Sequence, residues 1–458
     1  MYLNSAIKNR IFRIISLSSS EIQQDSYVIG GSVRDVLLKN RLPKYIDIVT
    51  VGSGVLLAQK VSKHLNISSK ITCFKNFGTA ILKYRNHEIE FIGARKESYR
   101  NDSRQPIGSI TSYQKRRSFT INAMAISLNP FNYGKLIDPF DGLSDLQSHP
   151  RNPWVTSSYD PLRMLRAIRF SSQLDFLIEE QAICLQQNSI HIVSIERIME
   201  EFNNIMLSRQ PSVGLKLLHK SGLLSKILPE LTDLEGVEEK EGHYHKDNFF
   251  HTLEVVDNIS KVSDSLWLRW AALLHDIGKS ITKKYVYPIG WTFHSHEFVG
   301  ARMIITLFQR LKFPLGSTVK YVKKIVQLSS RPIALVSKEA TDSAFRRLLF
   351  YAGKDIDDLM LLCKADITTK NDEKRYRYKN NFALVEKKLL KISETDRIRN
   401  WQSPISGEEI MKIFNLRPSK KVGIIKKSIK EAVLEGHIAH DRESVYSFIL
   451  KKGKELGL

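Results

Sequence analysis

A short apolar strand that runs straight into two glycines and then a helix, Val28-Ile29-Gly30-Gly31-Ser32-Val33-Arg34-Asp35, constrains this chain more than any other feature. Glycines at such a junction let backbone N–H groups approach a phosphate. The N-terminus of the helix that follows adds favourable potential for negative charge. A second strand, Lys44-Tyr45-Ile46-Asp47-Ile48-Val49-Thr50, comes next, and strand alternation puts residues 45 and 47 on one face. Only position 47 of that pair is a carboxylate. Glu90, between Ile89 and Phe91 in a hydrophobic-acid-hydrophobic pattern, is expected on an adjacent strand as a further carboxylate.

Strand-like runs at 27–30, 46–51, 71–74, 79–84, 88–92 and around 122–128 alternate with helical spacing at 33–39 and 54–65, which predicts an α/β head. After Asp138-Pro139-Phe140-Asp141-Gly142 the β pattern stops, and helical spacing predicts an all-α remainder. The fold class is therefore α+β. The expected divisions are a head at 1–150, a helical neck at 151–240, a metal-binding body at 241–372 and a helical tail at 373–458. The charged run 371–379 (NDEKRYRYK) reads either as the last boundary or as the solvated face of one long helix. The first residues read as an amphipathic helix.

Lys and Arg outnumber Asp and Glu by 70 to 48 across the 458 residues, a net charge of +22. That surplus runs through every region and predicts a polyanionic partner. Cys73, Cys184 and Cys363 are odd in number and widely spaced, which fits a reducing cytoplasm without a disulfide framework. No apolar run approaches the roughly 20 residues of a membrane span.

Three further motifs complete the head and neck: Lys115-Arg116-Arg117-Ser118-Phe119-Thr120-Ile121-Asn122-Ala123, Tyr159-Asp160-Pro161-Leu162-Arg163, and Ser194-Ile195-Glu196-Arg197-Ile198. Together with the glycine turn they resemble the tRNA nucleotidyltransferases (CCA-adding enzymes) and bacterial poly(A) polymerases, a branch of the polymerase β-like superfamily. The resemblance implies an α/β nucleotidyltransferase head that adds C and A from CTP and ATP to tRNA 3′ ends without a template. It implies Asp47 and Glu90 as catalytic carboxylates, with Asp47 a ligand to Mg²⁺. Gly30, Gly31, Arg34, Asp35, Arg95, Arg116, Arg117 and Asn122 are implied to hold the nucleotide. Asp160 and Arg163 are implied to read its base, and Arg166 to bind the nucleotide. The chain departs from the family pattern where Tyr45 and Ser118 replace aspartates and where Ser112 and Tyr113 replace acids. Those substitutions remove charge from the place where a phosphoryl-transfer transition state needs it, and predict weakened or absent transfer.

A second constellation lies downstream: His251, His275-Asp276, His294, His296 and Asp366. Adjacent His275 and Asp276 end the apolar segment that starts at Leu266, where polar groups need partners and a metal supplies them. The order resembles an HD domain. That resemblance implies a divalent ion held by these six residues and hydrolysis of phosphoesters such as RNA 3′ or cyclic phosphates, with Lys279 near the phosphate. A third reading is a non-catalytic RNA-binding scaffold. The basic tail, including Arg417 and Lys420, Lys421, Lys426 and Lys427, is expected to contact tRNA phosphates. No protein partner is expected.

Overall fold

In the computed structural model the described residues are 7–39, 43–67, 71–74, 78–94, 109–115, 117–148, 161–174, 187–336, 340–396 and 403–458. The chain divides into two compact units. One comprises Met1–Arg163 with Asp175–Ala182, the other Met164–Leu174 with Ile183–Leu458.

The first unit is built on a seven-stranded sheet. Its strands are β1 (Ser26–Ile29), β2 (Tyr45–Thr50), β3 (Ile71–Phe74), β4 (Thr79–Tyr84), β5 (His87–Gly93), β6 (Ala125–Ser127) and β7 (Leu136–Ile137), in the order β3-β4-β5-β2-β1-β6-β7. Among the described residues only β2 and β5 pair in parallel, and the other neighbours are antiparallel. Helices α1 (Arg10–Glu21), α2 (Gly31–Lys39) and α3 (Gly54–His64) accompany it. α1 is the expected amphipathic helix, capped by Asn9, whose side chain accepts from the Ile11 amide at 3.1 Å. α1 and α3 pack together, and α3 lies on β4 and β5. Their side of the sheet receives Ile46, Ile48, Ala80, Leu82, Ile89 and Phe91, all buried. Alternation therefore sends Tyr45, Asp47, Glu88 and Glu90 to the other face.

The second unit is mainly helical. The helix Ile195–Met206 buries Ile198, Met199, Phe202, Ile205 and Met206 at helical spacing. The helices Asn248–Ser260, Leu266–Leu274, His296–Arg310, Ser317–Leu328 and Ile356–Ala365 enclose the next core. Arg269 is fastened inside it by hydrogen bonds to the carbonyls of Met206 (2.7 Å), Ser208 (2.8 Å) and Ser263 (3.0 Å). Asp372–Asp396 is one 25-residue helix, so the charged run at 371–379 is the solvated start of a long helix. At the C-terminal end Ile410, Ile425, Ile429, Val433, Val445 and Ile449 form a separate apolar cluster.

The expectation of an entirely helical remainder is corrected at two places. Glu239–Lys240 pairs with His243–Tyr244, and Lys284–Val286 pairs with Gly290–Thr292. Strands of two and three residues are too short to display a period of two. They are held by side chains from both hairpins: Tyr285 and Trp291 meet edge to face at 5.5 Å, and His245 meets Trp291 at 5.4 Å.

Candidate active site

The turn at Gly30 and Gly31 lies between β1 and α2, as the strand-glycine-helix pattern predicts. Gly30 has φ +68°, and a Cβ there would meet Arg117 Nη2 and Asp47 Oδ2, each at 3.5 Å. Contacts at that distance are ordinary, so what calls for glycine here is the left-handed backbone of the turn. Ser32 ties this turn to β2: the Asp47 amide donates to Ser32 Oγ at 2.9 Å, and that hydroxyl donates to the Tyr45 carbonyl at 3.3 Å. No sequence pattern singles out Ser32, because its partner lies on another strand.

Asp47 and Glu90 are cross-strand partners in the parallel β2–β5 ladder, as are Tyr45 and Glu88. Burial raises the Asp47 carboxyl above its ordinary range, and Arg117 pulls it back. Burial also raises Glu90, the charge on Asp47 raises it further, and Arg117 again opposes. A pair of carboxylates sharing one guanidinium is under-neutralised, and oxygen ligands of this kind suit a hard divalent cation. Tyr113, in place of an expected acid, holds Arg117 instead. The guanidinium donates to its hydroxyl at 2.5 Å and lies 4.9 Å from the ring centroid.

Arg34 donates to Asn122 Oδ1 at 2.9 Å and pairs with Asp35 at 2.8 Å, so three of the predicted nucleotide-binding residues form one network. Ser118 is half-buried, and Tyr45 is 60% exposed with the Lys44 ammonium 5.3 Å from its ring. Arg95, Arg116 and Asp160 lie outside the described residues. Arg163 and Arg166 share a face of the helix Pro161–Leu174, where Arg166 Nε bonds the buried Glu201 at 2.8 Å. Arg166 is thereby placed on the helix Ile195–Met206 of its own unit.

The second site forms in the helical body. His251 comes from the helix Asn248–Ser260, His275 and Asp276 follow the helix Leu266–Leu274, and Asp366 ends the helix Ile356–Ala365. Ligand atoms of His251, His275 and Asp366 all lie within 4.8 Å of one another. Asp276 is adjacent, 3.3 Å from His275 Nε2 and 3.5 Å from His296 Nε2. His294 is exposed in the turn before the helix His296–Arg310 and is not among these neighbours.

Main-chain carbonyls set two of the imidazoles. His275 Nδ1 donates to the Ala272 carbonyl at 2.7 Å and His296 Nδ1 to that of Phe293 at 2.9 Å, which turns each Nε2 toward the acids. Asp366 Oδ1 is buried between two imidazoles, 2.8 Å from His251 Nε2 and 3.5 Å from His275 Nε2. With a mixed nitrogen and oxygen donor set, these atoms fit a divalent ion. Burial disfavours a charge on His275, yet Asp276 and Asp366 outweigh it and its pKa is pushed up to about 10. Burial likewise opposes ionisation of Asp276 and Asp366, but the imidazoles hold both carboxyls below their usual range, with Lys279 adding to the effect on Asp276. Without an ion, a proton on His275 does the neutralising.

Two lysines reach this cluster. Lys279 Nζ is 2.7 Å from Asp276, and Lys246 Nζ is 2.7 Å from His251 Nδ1. Lys279 was legible from its place beside the histidine-aspartate pair. Lys246 and Thr368, whose hydroxyl is 3.0 Å from His251 Nδ1, were not.

Comparison with known proteins agrees with this order of parts. Residues 26–150 match the model of the Poly A polymerase head domain, 175–234 the probable RNA and SrmB-binding site of polymerase A, and 248–369 the HD domain. The chain is 30% identical over 369 residues to the multifunctional CCA protein of Mannheimia succiniciproducens, covering 74% of this chain and 83% of that protein. It is 29% identical over 348 residues to the A-adding tRNA nucleotidyltransferase of Deinococcus radiodurans, covering 72% and 76%. A CCA-adding enzyme solved with ATP shares the fold, with a TM-score of 0.61 at 21% identity over 96% of this chain and 94% of that one. With the head, RNA-binding and HD models matched in order and a relative 30% identical over most of its length, the chain belongs to the tRNA nucleotidyltransferase and poly(A) polymerase family.

Proposed function

We propose that the protein extends tRNA 3′ ends in the cytoplasm by transferring nucleotidyl groups from CTP and ATP. The observation that carries this reading is the Asp47–Glu90 pair, held in register under the Gly30 turn at the start of α2. Asp47 and Glu90 would hold Mg²⁺, which when bound supplies charge neutralisation for in-line displacement at the α-phosphate. Backbone N–H groups at Gly31 and the first turn of α2 face the triphosphate. The Arg34–Asn122 contact presents a guanidinium and an amide beside that turn, suited to the ribose and phosphates. The exposed Lys420, Lys421, Lys426 and Lys427 of the tail suit contact with RNA phosphates, whose affinity depends on salt. Incubation with tRNA lacking its terminal CCA, labelled CTP and ATP, and Mg²⁺ tests the reading. Incorporation that EDTA abolishes is expected. Its absence both in this chain and in a Tyr45→Asp, Ser118→Asp variant would overturn the proposal.

A second activity is favoured by the convergence of His251, His275 and Asp366, whose ligand atoms lie within 4.8 Å of one another. His251, His275, Asp276 and Asp366, with His296 beside them, would hold a divalent ion, which supplies Lewis-acid activation for phosphoester hydrolysis. The ammonium groups of Lys246 and Lys279 give the site positive charge suited to a phosphate. Hydrolysis of a 2′,3′-cyclic nucleotide that is lost in His275→Ala, with tRNA extension retained, is the expected result.

A further inference from the structure

The face of the head sheet away from α1 and α3 carries two cross-strand pairs, Asp47 with Glu90 and Tyr45 with Glu88. Of these four positions only 45 lacks a carboxylate, and its phenol is a poor ligand for a hard cation. Glu88 stands directly beside that position, one strand over, on the same face as Glu90. It is half-buried, and its carboxylate has no hydrogen bond or ion pair among the described residues. Lys83 is its partner on β4, exposed and unpaired with it, and Tyr45 is its partner on β2.

The other nearby acid is already committed: Asp35 is bound by Arg34 Nε at 3.0 Å and Nη2 at 2.8 Å. Neighbouring strands are about 4.8 Å apart, so a side chain at 88 can reach the same space as one at 45, and glutamate is longer than aspartate by one methylene. Charge argues the same way. Arg117 offsets one of the charges on Asp47 and Glu90, leaving about one for the ions a triphosphate brings; a third carboxylate doubles it.

We propose that Glu88 supplies the carboxylate that position 45 lacks, completing a three-acid site with Asp47 and Glu90 across the β2–β5 pair. This inference rests on the reading of the head as a metal-dependent nucleotidyl-transfer centre.

The test measures binding of a fluorescent, non-hydrolysable ATP analogue to the full-length protein with Mn²⁺ and with EDTA, alongside addition of nucleotides to tRNA. The unmodified chain is expected to bind the analogue about 10-fold or more tightly with Mn²⁺. Glu88→Gln is expected to lose most of that gain while melting at the same temperature, and Tyr45→Asp introduced into Glu88→Gln is expected to restore it. A Glu88→Gln variant with the full Mn²⁺ gain would overturn the proposal, as would failure of Tyr45→Asp to rescue. Asp47→Asn separates the two levels of failure. If Asp47→Asn abolishes the gain and Glu88→Gln does not, only the role of Glu88 falls; if neither affects it, the metal-dependent reading of the head falls as well.

Discussion

Asp47 and Glu90 face each other across the parallel β2–β5 pair of the head sheet, on the side away from α1 and α3. Burial raises both carboxyls and the charge of Asp47 raises Glu90 further, so the pair is held together against its own repulsion. Asp47→Asn is expected to lower nucleotide incorporation by about 10²-fold or more, because charge is removed where the transition state develops it. The melting temperature should stay the same or rise slightly, since one member of a repelling pair becomes neutral. Single-turnover incorporation and calorimetry together check this.

Gly30 stands at φ +68°, with Arg117 Nη2 and Asp47 Oδ2 each 3.5 Å from where a Cβ would be. Those contacts are ordinary, so Gly30→Ala is penalised mainly by its backbone, about 1–2 kcal/mol. The added methyl also stands on the face that a phosphate approaches. A rise in KM for ATP larger than the stability loss explains is the expected kinetic result, with chemical denaturation as the control.

Addition of Zn²⁺ or Mn²⁺ to metal-free protein is expected to raise the melting temperature through the His251, His275 and Asp366 cluster. The effect should vanish in His275→Ala. Because the imidazole of His275 keeps its proton up to about pH 10 in the metal-free cluster, an entering ion must displace it. Uptake should therefore release protons, and affinity should rise with pH below that value. Calorimetric titrations in buffers of different ionisation enthalpy measure both.

Arg269 is 2% exposed and caps the carbonyls of Met206, Ser208, Ser260 and Ser263. Arg269→Met preserves much of the volume but orphans these acceptors, so a loss of about 3 kcal/mol or more is expected from several unmade hydrogen bonds. Urea unfolding followed by the nearby Trp270 reports it. Binding of tRNA should be unaffected below the unfolding transition.

Lys426 and Lys427 lie exposed on the helix Lys420–Glu435. Replacing both by alanine should weaken tRNA binding about uniformly across tRNA sequences and reduce the salt slope by roughly 1–2, the number of phosphate contacts removed. Filter binding at several salt concentrations measures the slope.

Much of this molecule is written in local sequence. The strand that ends in Gly30-Gly31, the apolar alternation of Ile46, Ile48, Ile89 and Phe91, and the helical spacing of Ile198, Phe202 and Ile205 each report through neighbours a few residues away. The histidine-aspartate order of the body was legible from residue type, and His275-Asp276 and Asp366 end recognisable apolar helices. The two short hairpins were not legible, because strands of two and three residues leave no period to read. Nor did local pattern distinguish His294, exposed in a turn, from His296, whose ring is set by the Phe293 carbonyl.

What the sequence by itself determined is the set of parts: a glycine turn, an acid at 47 and at 90, a tyrosine at 45, and an ordered row of metal-ligand types in the body. Which of those parts meet was decided by tertiary structure. Parallel pairing of β2 with β5 sets Asp47 against Glu90 and Tyr45 against Glu88. Helix packing brings His251, His275 and Asp366 within 4.8 Å. Register and packing are set by burial of the opposite faces of these same elements, and that burial carries no local mark on the polar residues it brings together.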